Sequence, residues 1–211
     1  MWNRPRFVLA AVLISGCAVA AGAEESTTQK QEAPGGGDEA NTRRTFSTIT
    51  LEGTALGEFG DDAFQDYWEP GFGGEIAVLT PVPHGYLELA VHPFANDPTE
   101  PDLPRVRTLG TYMGWGFDLS LPQHILFRAG ARAGVFWMLY DETADSPAQD
   151  ENEVAIGGRA SLQYPLTHSL GIQAGMRYAR VLTKKEIDFI FLGGGFAWTF
   201  SSPDWLRGFL E

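Results

Sequence analysis

Val154, Ile156, Gly158, Ala160, Leu162 and Tyr164 alternate with Glu153, Ala155, Gly157, Arg159, Ser161 and Gln163. The next run repeats the pattern: Leu170, Ile172, Ala174, Met176 and Tyr178 interleave with Ser169, Gly171, Gln173, Gly175 and Arg177. One phase is apolar and the other is polar or glycine. A period of two belongs to strands whose successive side chains point to opposite faces. The last run closes on Gly195-Phe196-Ala197-Trp198-Thr199-Phe200, again with aromatic residues at alternate positions.

Outward from this stretch the same alternation recurs. Eight runs are predicted as strands, at 46–59, 71–80, 85–94, 105–121, 125–140, 153–164, 169–182 and 186–200. The first, third and fifth connections are long and acidic. The second, fourth and sixth are short and built on proline and histidine: Pro81 to His84, Pro122-Gln123-His124, and Pro165 to His168. The seventh is short and carries Lys184 and Lys185. Proline ends strand pairing, so the repeating unit is a hairpin. His84, His124 and His168 fall on different hairpins, which favours a turn role over metal ligation. No metal, cofactor or nucleotide site is expected, since the chain has no phosphate loop and no zinc-ligand spacing.

The polar phases hold Glu52, Glu75, Glu88 and Asp118 against Arg128, Arg132, Arg159 and Arg177, four acids against four bases. Glycine accompanies them. A solvated face rarely uses so much glycine, because glycine weakens strands. A crowded lumen does use it, because large charged side chains need room opposite them. The apolar phase is therefore predicted to face outward and the polar phase inward, as paired charges that fill the interior. A narrow gated pore or a lumen site is the functional alternative. In the last strand Phe189 and Phe191 fall in the inward phase, a place expected above the membrane or beside a bulge. Parity restricts the register of the fourth and fifth strands. A three-residue turn at Pro122-Gln123-His124 sets Asp118 opposite Arg128 and Gly114 opposite Arg132, leaving Arg132 to cross toward Glu52 or Glu75.

The chain has 211 residues and a formal charge of -12, a poor balance for a nucleic-acid partner. Mean hydropathy is only -0.14. No apolar stretch of about 18 residues follows the N-terminal segment, so no transmembrane helix is expected in a mature chain. Strands that alternate lipid-facing and lumen-facing residues dilute hydropathy in this way. Residues 1–23 read as an export signal: Arg4 and Arg6, an apolar core, then small residues. Ala21-Gly22-Ala23 offers a plain cleavage site, and Ile14-Ser15-Gly16-Cys17 resembles a lipoprotein box with lipidation at Cys17. Cys17 is the one cysteine, so no disulfide is expected within the mature domain. Residues 24–45 are polar and contain Gly35-Gly36-Gly37, the composition of a disordered linker. The acidic connections are expected to be extended and solvated by mutual repulsion. Arg105, Arg107 and Arg180, with Lys184 and Lys185 nearby, fall in the outward phase at the loop end, in positions suited to anionic headgroups.

Short turns at one end, long loops at the other and the terminal Gly195, Trp198 and Phe200 pattern together carry a resemblance. Residues 46–200 resemble the small eight-stranded outer-membrane barrels of the outer membrane protein A and opacity-protein type. The resemblance implies an all-β, eight-stranded antiparallel up-and-down transmembrane β-barrel in the outer membrane of a Gram-negative-type bacterium. Both termini would be periplasmic, with residues 201–211 as a short tail, and the terminal strand would be read by the barrel assembly machinery. It further implies a non-enzymatic role in envelope integrity or surface interaction. Two alternatives stand beside it. A lipid-modifying barrel enzyme needs a serine and a histidine on one face. His168 and Ser169 are neighbours and point oppositely, and His92 has no evident serine. A lipid-anchored or periplasmic soluble barrel would instead bind an apolar ligand inside.

Overall fold

A computed structural model of the protein describes residues 46–59, 64–143, 147–183, 187–203 and 205. Eight strands carry the fold: β1 (Thr48–Glu58), β2 (Phe72–Val82), β3 (Gly85–Asn96), β4 (Val106–Ser120), β5 (Leu126–Tyr140), β6 (Gln149–Pro165), β7 (Leu170–Val181) and β8 (Ile187–Ser201). Each pairs antiparallel with the next, and β8 pairs with β1 to close the barrel. The predicted runs and the observed strands agree to within a few residues. The largest difference is at β6, which begins at Gln149 because residues 149–152 continue the ladder with 137–140 of β5.

Asp118 is paired with Arg128 and Gly114 with Arg132, as the parity of the hairpin requires. The short turns sit where the chain must reverse within a few residues. His84, Gln123 and His124 take φ of 69°, 63° and 61°. Histidine visits this left-handed region more readily than branched residues do, so two of the turn histidines serve the turn. No group of three or more metal-ligating side chains occurs among the described residues.

The two phases separate cleanly. Leu51, Ile76, Leu89, Met113, Trp115, Ile156, Leu192 and Phe196 are exposed on the outer wall. Glu52, Glu75, Glu88, Arg128, Arg132, Arg159 and Arg177 are buried inside. An apolar belt this extensive is the lipid-facing surface of a transmembrane barrel. The strands are 11–17 residues long, and about 9–11 tilted residues suffice to cross a bilayer. Glycine opens space where the reading of the polar phases requires it. A Cβ at Gly116 would lie 2.5 Å from the Tyr86 hydroxyl, and one at Gly130 would lie 2.8 Å from it.

The first and third connections are less extended than expected, although their described acids Asp66, Asp97, Glu100 and Asp102 are exposed. The described parts of these two are joined to each other. Glu69 N–H donates to the Asp97 carbonyl at 2.8 Å and Thr99 N–H to the Tyr67 carbonyl at 2.9 Å. The Trp68 indole donates to the Pro104 carbonyl at 2.8 Å. Beneath them the buried Glu58 carboxylate accepts from Gly71 N–H at 2.8 Å and Asn96 Nδ2 at 2.6 Å. Repulsion between solvated carboxylates is screened within about 10 Å at 0.1 M salt. Buried hydrogen bonds and the Phe64–Trp68 stack, at 4.6 Å between centroids, outweigh it. Asp61, Asp62 and Asp145 lie outside the described residues, as do Cys17, Lys184, Lys185, the export signal, the linker and most of the tail.

Candidate functional site

The barrel lumen gathers the chemistry-bearing residues into levels. The acids stand on one wall and the arginines on the other: Glu52, Glu75, Glu88 and Asp118 project from β1 to β4, and Arg128, Arg132, Arg159 and Arg177 from β5 to β7. The pairing is shared. Arg128 bonds Glu52 and also Asp118, the latter at 2.9 Å. Arg159 bonds Glu52 and also Glu88, the latter at 2.7 Å. Glu75 takes Arg132 and also Arg177, the latter at 2.7 Å. Glu52 and Glu75 therefore each bridge two guanidinium groups. This satisfies charges that would be very costly to bury alone. Arg132 also lies 4.1 Å from the ring centroid of Tyr112, and Arg128 lies 5.1 Å from that of Tyr86.

Toward the loop end the lumen changes character. Phe94, Phe136, Phe189 and Phe191 pack into one aromatic layer, with Phe189 stacked on Phe136 and on Phe191 at 5.9 Å each. Leu56, Val106, Met138 and Val181 surround them, all buried. Phe189 and Phe191 thus lie inside the barrel, in regular pairing with Ala179 and Arg177 of β7 and not at a bulge. Phe64 reaches in from the first loop to within 5.3 Å of Phe189. The sequence did carry a signal for this layer. Positions 56, 94, 136, 138, 189 and 191 are all apolar, all in the inward phase, and all near the loop end of their strands. His92 sits at the boundary, fully buried, edge-on to Phe191 at 4.5 Å, with neither ring nitrogen hydrogen-bonded.

The outward arginines are placed at the loop-end rim, each beside an acid. Arg105 meets Asp97 at 3.0 Å, Arg107 meets Asp141 at 3.2 Å, and Arg180 holds Asp188 at 2.8 and 2.9 Å. The terminal-strand residues Gly195, Trp198 and Phe200 lie on β8, paired with Thr54, Leu51 and Ile49 of β1. Trp198 and Phe200 point outward near the turn end.

No family model and no curated protein matches the sequence. Solved structures do match the fold. Neisserial surface protein A is 15% identical, with a TM-score of 0.54 over 72% of this chain and 96% of that one. The outer membrane protein OprG of Pseudomonas aeruginosa is 11% identical, with a TM-score of 0.51 over 74% of this chain and 97% of that one. At such identity the likeness is one of architecture: strand number, closure and antiparallel order coincide, while the side chains differ. The chain has the fold of the small eight-stranded outer-membrane β-barrels.

Proposed function

We propose that the protein is a non-enzymatic, non-conducting barrel of the bacterial outer membrane, acting in envelope integrity or surface interaction through its acidic loop end. The filled lumen carries this reading: bridged ion pairs occupy its middle and four phenylalanines its loop-end half. Such an interior leaves the loops and the outer wall as the working surfaces. The outer-membrane proteins that share the fold support the location. In this orientation both termini face the periplasm, and β8 presents the outward aromatics Trp198 and Phe200 to the assembly machinery.

Expression in a Gram-negative host, with fractionation and planar-bilayer recording, tests the reading. Heat-dependent gel migration from the outer-membrane fraction, protease nicking of the loops on intact cells and a silent bilayer are the expected results. Stepwise conductance of the unmodified protein would overturn the closed lumen, and a soluble periplasmic product would overturn the location. The enzyme reading has no geometric support at His92, since no side chain bonds either ring nitrogen. A mass shift in lipid A on expression would revive it.

The rim arginines extend the proposal to a lipid partner. Arg105 and Arg107 lie in half-exposed ion pairs, and such pairs contribute only about 0–1 kcal/mol, while Arg180 is held by both carboxylate oxygens of Asp188. A lipopolysaccharide phosphate can offer each guanidinium the same bidentate geometry. Replacing all three arginines by glutamine should weaken binding to lipopolysaccharide micelles about tenfold, on the basis of roughly 0.5 kcal/mol per exposed contact. Unchanged binding would reduce the cluster to a solvated rim.

A further inference from the structure

At the loop end the closed barrel keeps one open strand edge. β6 pairs with β5 from Gln149 onward, but its ladder with β7 begins only at Ala155, opposite Val181. The Leu182 N–H donates to the Val154 carbonyl at 2.8 Å, so the main-chain groups of Val154 point to the β7 side. Along an antiparallel strand these groups alternate in direction. Those of Asp150 and Asn152 therefore point the same way, and no backbone group of the described residues pairs with them there. Residues 149–152 are exposed. Rim residue Arg180 is paired with Ile156, and Asp150 lies further along β6 toward the loops. At about 3.3 Å per residue, the edge stands roughly 20 Å beyond the rim along the strand, clear of the hydrocarbon.

We infer that this edge, residues 149–153, docks an extended basic polypeptide segment as an added strand. The inference deepens the surface-interaction reading and rests on it for its cellular setting. The backbone is the first argument. Closure removes the edges of a sheet, and an edge left open is a template for another chain. Asp150 and Asn152 each present an N–H and a carbonyl at strand spacing. Residues 136–140 of β5 already hold the edge extended, so docking costs little ordering on this side.

Charge is the second argument, and it selects the occupant. Asp150, Glu151 and Glu153 lie along the edge. Among the described residues the loop-end ion pairs are Arg105–Asp97, Arg107–Asp141 and Arg180–Asp188, and none takes up these three acids. Like charges directly opposite each other destabilise a strand pair, so the edge repels a second copy of itself. A strand with lysine or arginine at alternate positions meets the opposite charge instead.

The experiment uses the full chain in lipid nanodiscs, observed by amide NMR while an eight-residue peptide of alternating lysine and valine is added. Two further peptides separate backbone from charge: the same sequence N-methylated at its amides, and an alternating glutamate–valine sequence. Saturable shifts at the amides of Asp150 and Asn152 are expected with the lysine peptide. The N-methylated and glutamate peptides should each bind about tenfold or more weakly. Asn152→Pro removes an N–H from the open side and leaves the ladder with β5 intact. It should weaken the lysine peptide about fivefold or more. Asp150→Lys and Glu151→Lys together should reverse the preference toward the glutamate peptide. Spectra elsewhere in the barrel and heat-shifted gel migration report that each variant is folded. Unsaturated linear shifts, equal binding of the N-methylated or the glutamate peptide, or affinity unchanged in folded Asn152→Pro would each overturn the proposal. Self-association that Asn152→Pro abolishes would give the edge to a second copy and overturn it as well. The wild-type peptide series decides the matter even where a variant does not fold. Protease nicking on intact cells tests the surface reading separately, so a failed docking leaves that reading standing.

Discussion

Glu52→Ala is expected to destabilise the barrel by about 3–5 kcal/mol, the usual loss when one partner leaves a buried ion pair. The site makes the loss large because Glu52 bonds two guanidinium groups, those of Arg128 and Arg159. Removing it leaves each arginine with one remaining acid, Asp118 for Arg128 and Glu88 for Arg159. Water entering from the polar cavity at the turn end, which Asp118 and Arg128 help to line, would lower the cost toward the bottom of that range. The measurement is a denaturant unfolding titration in lipid vesicles, with Arg159→Ala and the double variant completing a cycle. Coupled groups give a double variant less destabilised than the sum of the two singles. Simple additivity would show that the pair is not coupled in the membrane-embedded protein.

Phe189→Ala should cost a comparable amount, about 3–5 kcal/mol, by emptying the centre of the aromatic layer. Its ring meets Phe136, Phe191, Phe94 and Phe64 at centroid separations of 5.3–5.9 Å, and the side chain is buried. The protein walls around it are strands of a closed sheet and cannot collapse into the void. Phe196→Ala provides the internal comparison. Phe196 lies on the same strand but faces outward, 61% exposed. Lipid chains are fluid and fill the space it vacates, so the same chemical change should cost markedly less there. Equal losses at 189 and 196 would mean that the two faces of β8 do not differ as described.

The turn-end opening and the loop-end plug divide the barrel's interior by chemistry. Polar groups that lack protein partners, such as the Tyr86 hydroxyl, Gln163 Oε1 and Arg132 Nε, lie at or below the ionic level. Above it lies the apolar layer, with His92 at the step, and a second buried polar contact, Asn96 to Glu58, follows at the loop end.

How much of this was legible in advance depends on the range of the interaction. Alternation at Val154 to Tyr164 and Leu170 to Tyr178 is a local property, imposed by the pleat of a single strand. It determined the eight strands, their order of faces and, through parity, the opposition of Asp118 to Arg128 across one short hairpin. The joining of the first two loops was not legible, because it rests on hydrogen bonds such as that from Trp68 to Pro104, 36 residues apart. The same holds inside the lumen. Arg159 and Glu52 are 107 residues apart and Arg177 and Glu75 are 102 apart. Their meeting depends on how strand stagger sets the height of each side chain in the closed barrel. Periodicity assigns a residue to the inside; only the closed sheet decides its level there, and hence whether its neighbours are guanidinium groups, phenyl rings or the turn-end cavity.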